Sequence, residues 1–298
     1  MKQNNVILDS RKEYVLSLAN GQGWSLIADE TTVSWLDRLA NIMKLKQGGQ
    51  NDYQKVYFTQ RGSDRDNFRH ILRKNGWINQ ERKNIQFWRQ KKSTNIICEF
   101  VECEWSPVLD FIRMYMVVGI LYRQIWASEG VPLHAALVQL HDRGVVLAAP
   151  GSTGKSTCCQ RIPIPWQALS DDETVIVRGD NGAYFAHPFP TWSEYIGQSA
   201  ARSWQVQKSV PLSAIFFLEQ APIDEVIPIG QGQAAVYLRQ SADEAGYRAL
   251  SKLERTDRIK LKTMLFHNVC ELSSLIPGFV LQASLTGKFW DKIEQVIS

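Results

Sequence analysis

Apolar residues along this chain recur in two rhythms. Short runs of Val, Ile, Leu and aromatic residues at 6–8, 14–18 and 24–28 have the length and composition of strands, whereas 32–43 carries apolar side chains at helical spacing. A further alternating run at 96–105 predicts a strand closing this first part of the chain. Ser106 and Pro107 then supply an N-cap and a first helical position, and Gly130 supplies a stop, so 106–129 is predicted as one long helix. That helix is apolar nearly all round, but its uninterrupted apolar stretch runs only from 114 to 121, between Arg113 and Arg123. A bilayer span needs about twenty such residues, so the pattern predicts a buried core helix joining two units.

Beyond it the rhythm is dominated by strands. Residues 133–140 and 145–149, separated by His-Asp-Arg-Gly, predict a β-hairpin. A short helix follows until Pro163 and Pro165, strand character resumes at 167–177, and a turn at 178–182 returns the chain as a second hairpin. Strands are expected at 211–219 and 277–285, helical structure over most of 243–268, and an amphipathic helix at 287–297. No internal repeat breaks this region. The expected organisation is a small α/β or α+β N-terminal domain over 1–104 and an α/β domain over 105–298, linked by helix 106–129. Because a hairpin leads into residue 149, the second sheet is predicted to be mixed rather than a purely parallel βαβ array.

Composition changes this picture little. With 298 residues, 44% of them apolar, 21% charged and a net charge of +4, the chain reads as globular, and its charge alone implies no polyanionic partner. One stretch stands out: between 61 and 92 there are ten Lys or Arg against three acidic residues, interleaved with Phe68, Trp77, Phe87 and Trp88. Nucleic acid, held by phosphate contacts with base stacking, or an acidic partner protein is one reading. A solvated basic face around core aromatics is favoured, since no nucleic-acid motif accompanies the charge. Cysteines at 98, 103, 158, 159 and 270 lack metal-ligand spacing, and the first residues lack the apolar core of a signal peptide, so a cytoplasmic chain with reduced thiols is expected.

The chemistry is concentrated in one segment. Ala149-Pro-Gly-Ser-Thr-Gly-Lys-Ser156 fits the phosphate-binding loop pattern, with Ala in place of its first glycine, and it lies between a predicted strand and a predicted helix. Gly151 and Gly154 allow backbone N–H groups to turn around phosphate oxygens at a helix N-terminus. Lys155 is then placed to bridge the outer phosphates, and the Ser156 hydroxyl to ligate Mg²⁺. Asp171 and Asp172 follow at the mouth of a strand, where one acid can hold the metal and the other accept a proton from an attacking hydroxyl. Successive strand residues face opposite ways, so a distorted strand entrance is required if both acids are to serve one centre. His134, in the strand paired with the loop's own strand, reads equally as a satisfied core residue or as a group facing the γ-phosphate.

The series Leu133-His-Ala-Ala, the hairpin, the loop and Leu169-Ser-Asp-Asp-Glu resembles the HPr serine kinase family and its relative phosphoenolpyruvate carboxykinase, over about residues 131–177. Pro188-Phe-Pro-Thr-Trp-Ser, Val210-Pro-Leu-Ser-Ala-Ile-Phe-Phe-Leu-Glu and the closing Phe289-Trp helix are similar to HPr-kinase-like proteins of peptide-modification clusters, the SynChlorMet-cassette type among them. The resemblance implies a mixed-sheet P-loop kinase domain of the HPr kinase/PEP carboxykinase type, using ATP and Mg²⁺ to phosphorylate a serine- or threonine-type hydroxyl of a peptide or small protein. By it, Pro150, Gly151, Ser152, Thr153, Gly154, Lys155, Ser156 and Thr157 would hold the nucleotide. Ser156 and Asp172 would bind the metal, and Asp171, Lys155 and His134 would be catalytic, with Asp171 the general base. The Gly- and Arg-rich loop of true HPr kinases has no counterpart, which argues against HPr as substrate and against the reverse phosphorylase reaction. Arg202 and Arg239 are the candidates for the γ-phosphate. The implied partners are the acceptor and a modification enzyme, self-association stays open, and neither nucleic acid nor membrane is expected. The competing expectation is a non-catalytic or weakly hydrolytic nucleotide-binding partner of such an enzyme.

Overall fold

The computed structural model of the chain describes residues 11–49, 52–60, 62, 64–82, 84–91, 93–101, 106–192, 195, 202–250 and 253–297. Two compact units result: the first comprises Met1–Ser17, Gln22–Val117 and Glu194–Ser203, the second Leu18–Gly21, Val118–Ser193 and Trp204–Ser298. Each is a mixed α/β unit built on its own mixed sheet. The division passes within the long helix, and the expected strand at 6–8 lies outside the described residues.

The first unit holds strands β1 (Lys12–Ser17), β2 (Gly23–Ala28), β3 (Lys46–Gln47), β4 (Gln54–Thr59), β5 (Trp77–Arg82), β6 (Ile85–Gln90) and β7 (Ser93–Phe100) in the order β3-β1-β2-β4-β7-β6-β5. The pairs β2–β4 and β4–β7 are parallel and the rest antiparallel. Helix α1 (Val33–Met43) buries Trp35, Leu36, Leu39, Ala40, Ile42 and Met43 and stops where Lys44 turns left-handed at φ 49°. Trp35 meets Phe100 edge-on at 4.7 Å between ring centroids and Phe58 at 5.0 Å, which fixes the core of this unit.

The basic stretch folds into helix α2 (Arg65–Lys74) and the hairpin β5–β6, with Phe68, Phe87 and Trp88 in the core. These rings pack inside the unit and present no face for stacking. Arg69 is also buried: its Nε lies 2.9 Å from Glu99 Oε1 and 3.0 Å from Oε2, and the Trp88 indole donates to Glu99 Oε2 at 3.0 Å.

The second unit begins within α3 (Pro107–Ala127) and continues through β8 (Val131–Leu140), β9 (Arg143–Ala148), α4 (Lys155–Arg161), β10 (Gln167–Ser170), β11 (Glu173–Arg178), β12 (Tyr184–Phe189), β13 (Val210–Gln220), β14 (Glu225–Pro228), α5 (Gln231–Leu250), α6 (Arg255–Leu275), β15 (Gly278–Ala283) and α7 (Phe289–Ile297). β8 and β9 form the expected antiparallel hairpin, while β9–β13 and β13–β15 are parallel, so the sheet is mixed, as the hairpin approach implied. The helical stretch expected at 243–268 is two helices starting earlier, at Gln231, and broken before Arg255. β14 was not expected, because Glu225-Val-Ile-Pro is too short to show a period.

One polar tie is deep in this unit. His187, on β12, is 1% exposed; its Nε2 accepts the Ala19 backbone N–H at 3.1 Å and its Nδ1 donates to the Val206 carbonyl at 2.7 Å. Only the neutral imidazole can make both bonds. Burial pushes its pKa from 6.5 down to about 4, against the Val206 carbonyl, which favours the proton. The unfolded chain takes up this proton below about pH 6.5 and the native chain only below about pH 4, so stability falls by about 3 kcal/mol as pH drops across that window and is level above it. Urea midpoints at pH 7, 5.5 and 4 measure this. His187→Gln, which keeps a donor and an acceptor, should flatten the slope, and an unchanged slope would assign the acid sensitivity to other groups.

Candidate functional site

β9 is buried at every position but its first, because its run of Val, Leu and Ala sits between β8 and β13. At Ala149 the chain leaves the sheet and turns through Pro150, Gly151, Ser152, Thr153 and Gly154 into α4. Ser152 (φ 63°) and Gly154 (φ 111°) are left-handed on either side of Thr153, an alternation of the kind that turns successive backbone N–H groups to one side. A Cβ placed on Gly151 or Gly154 would meet no atom within 4 Å, so open space adjoins both glycines. The Thr153 hydroxyl closes the loop onto the Pro150 carbonyl at 2.9 Å, and the Gln220 amide holds the Thr153 carbonyl at 3.1 Å.

Lys155, the first residue of α4, is buried. Its ammonium donates to the carbonyls of Ala149 (2.7 Å) and Pro150 (3.2 Å) and lies 3.0 Å from His134 Nε2. With Nε2 accepting from Lys155, His134 carries its proton on Nδ1, which faces Asp172 Oδ1 at 3.2 Å. Burial pushes the Lys155 pKa down, against the pull of Asp172, Glu244 and Asp171. Burial and the neighbouring ammonium push His134 down, while Asp172 and Glu244 pull it up. Lys155, His134 and Asp172 therefore form one charged cluster, and Asp171 acts on it through the pull of its charge on Lys155. Ser156 and Thr157 are exposed on the first turn of α4.

The strand entrance is irregular. β10 and β11 both pair with β8, with a register shift between Ala168 and Ser170 and a bend at Asp171-Asp172. Three consecutive acids then go three ways. Asp172 reaches His134; Asp171 accepts the Thr191 hydroxyl at Oδ1, 2.7 Å away, and is 8% exposed; Glu173 accepts the Tyr122 hydroxyl and is buried against α3. Below them Thr174 Oγ1 donates to the Ala135 carbonyl at 2.9 Å, fastening β11 to β8.

Several residues here carried no sequence signal. Glu244, on α5, places Oε2 3.9 Å from His134 Nε2, and Ser241, one turn earlier, donates to the His134 carbonyl at 3.1 Å. A cavity of about 590 Å³ opens beside the loop, lined by Pro150, Ser152, Phe217, Glu219, Tyr237 and Glu244 among others. Of the two arginine candidates, Arg239 is otherwise placed: it is bound to Asp243 through two bonds, at 3.0 and 3.2 Å, and to the Lys262 carbonyl at 3.2 Å. The thiol of Cys158 is pushed up to about 11 by burial, with Arg161 pulling it down, so it packs as a small apolar group in the core beneath the loop. Arg161 itself is held by the Ser284 carbonyl at 2.7 Å and lies over the Phe289 ring at 5.4 Å, anchoring α4 to α7. Among the described residues, no helix is long and apolar enough to cross a membrane.

Fold and site together define a two-unit mixed α/β protein whose glycine-rich loop abuts a lysine, a histidine and a pair of aspartates. Residues 96–298, which contain every group of this site, match the SynChlorMet cassette protein ScmC family, and the chain belongs to that family. No protein with a curated description matches it.

Proposed function

We propose that the protein is an ATP- and Mg²⁺-dependent kinase of HPr-kinase-like P-loop type that phosphorylates a hydroxyl of a peptide or small protein. The observation that carries this reading is the unbroken chain Pro150 O–Lys155–His134–Asp172 beside Asp171, set against a loop of alternating backbone handedness. The residues fit the implied groups. Open space at Gly151 and Gly154 leaves room for phosphate oxygens against the loop amides. Ser156 and Asp172 offer hard oxygens of the kind Mg²⁺ takes, one or two from protein with the remainder from phosphate and water. When bound, Mg²⁺-ATP supplies the phosphoryl group and neutralises part of its charge.

The chain's own contributions follow from the geometry. Lys155 would exchange the Ala149 and Pro150 carbonyls for phosphate oxygens, a move that keeps its charge paired. His134, oriented through Nδ1 by Asp172, would face the same oxygens with Nε2. Thr191 holds the Asp171 carboxylate through Oδ1, and that carboxylate would take the proton of the acceptor hydroxyl. A second reading, a nucleotide-binding partner that transfers nothing, is favoured by Arg239 being committed to Asp243 rather than to the loop. Calorimetric titration with Mg²⁺-ATP tests the nucleotide part: Lys155→Met should weaken binding about 10- to 100-fold. The absence of any binding heat with the unaltered chain would remove both readings.

A further inference from the structure

The cavity beside the loop continues outside the site. Gln240 and Glu244 line it, and the same two residues line a groove on the outer face of α5 together with Val236, Arg239, Asp243 and Tyr247. Positions spaced by three and four form one helical face, so the groove runs along α5 and passes into the cavity at Glu244. Two features give it a chemistry. Val236 and Tyr247 are 64% and 74% exposed, which leaves apolar surface at both ends of the groove. Arg239 and Asp243 neutralise each other through two hydrogen bonds, and the remaining carboxylates of groove and cavity are Glu219 and Glu244, the latter 3.9 Å from His134 Nε2 and sharing the Lys155 ammonium with Asp172 and Asp171. Beneath Glu219, the Phe217 ring packs 5.0 Å from that of Tyr237 and makes the cavity wall aromatic.

We propose that this continuous surface binds the acceptor as an extended peptide, with a cationic side chain in the cavity lined by Glu219 and Glu244 and apolar side chains against Val236 and Tyr247. The inference rests on the kinase reading above and names the substrate class of that site. Pro150, Ser152 and Thr153 of the loop also line the cavity, so its loop side is left to the donor phosphates, while the carboxylates and the aromatic wall favour an ammonium or guanidinium of the acceptor. Length agrees: positions 236 and 247 lie about 16 Å apart along a helix axis, the reach of about five extended residues. The hydroxyl to be phosphorylated therefore lies next to a basic residue, with an apolar residue a few positions away.

Fluorescence anisotropy tests this without any transfer step. The probes are labelled serine hexapeptides with Lys beside the serine and Leu near one end, the same peptide with Glu for Lys, and the same with Ser for Leu, each added to the full chain with Mg²⁺ and a non-hydrolysable ATP analogue. The Lys-Leu peptide should bind about 10-fold or more tighter than its Glu form, as a charge-assisted contact gives. Glu219→Gln with Glu244→Gln should erase that difference while the Leu preference persists. Tyr247→Ser should erase the Leu preference while the charge preference persists. Equal affinity for the Lys and Glu peptides, or preferences untouched by these substitutions, would overturn the proposal. Because binding is read directly, peptides that bind but are never phosphorylated would count against the kinase reading alone.

Discussion

Asp171→Asn is expected to lower phosphoryl transfer about 10²- to 10⁴-fold while leaving Mg²⁺-ATP affinity within about threefold. The amide oxygen can still accept the Thr191 hydroxyl, so the local fold persists, but the side chain can no longer take a proton. The comparison that separates catalysis from scaffolding is Thr191→Val, which keeps the carboxylate and removes its orienting bond. It should cost transfer only about 10-fold, in kcat rather than KM. Initial rates of peptide phosphorylation, beside calorimetric nucleotide affinities, provide both readouts. Equal losses in the two variants would mean that Asp171 matters only as the partner of Thr191.

Arg69→Met is expected to destabilise the first unit by about 3–5 kcal/mol, because it leaves the wholly buried Glu99 carboxylate without its guanidinium. The Trp88 indole alone then faces that charge. Replacing both partners, as in Arg69→Met with Glu99→Leu, should recover most of the loss, since neither charge then needs solvation. Hydrogen exchange of the β6 and β7 amides in the full chain measures it: protection should fall in the single variant and return in the double. Unchanged protection in Arg69→Met would show that the pair contributes little beyond its own desolvation.

Arg69 also shows where the sequence was legible and where it was not. Local pattern was enough for the hairpin into the loop and the Pro-limited helix after it, because each depends on residues within a few positions of one another, whereas 167–177 reads as one strand and is in fact two, broken at Asp171-Asp172. The basic stretch misleads when read by charge alone. Its Arg69 is stabilised by Glu99, a partner thirty residues away that no periodicity reveals. Strands β5 and β6 were obscured for the same reason: their polar and basic side chains mask the alternation that β-pairing imposes. Similarly, His134 could be read two ways from its apolar strand, and only the folded positions of Lys155, Asp172 and Glu244 place it in a charged centre. Glu244 carries no motif, and Thr191 lies within Pro188-Phe-Pro-Thr-Trp-Ser without any role being readable for it. Their places follow from how α5 packs on β8 and where the chain goes after β12, both of which are long-range consequences of topology.

Lys155, His134, Asp171 and Asp172 are proposed to act together in moving a phosphoryl group onto a hydroxyl. The most direct measurement is mass spectrometry of a serine peptide carrying an adjacent lysine, incubated with the full chain, Mg²⁺ and ATP, with ADP quantified in the same tubes. One phosphoester on the peptide serine and an equal amount of ADP are expected, both lost in Asp171→Asn. ATP that binds, or is slowly hydrolysed, while every peptide offered stays unmodified would contradict it and leave the non-transferring nucleotide-binding partner as the surviving reading.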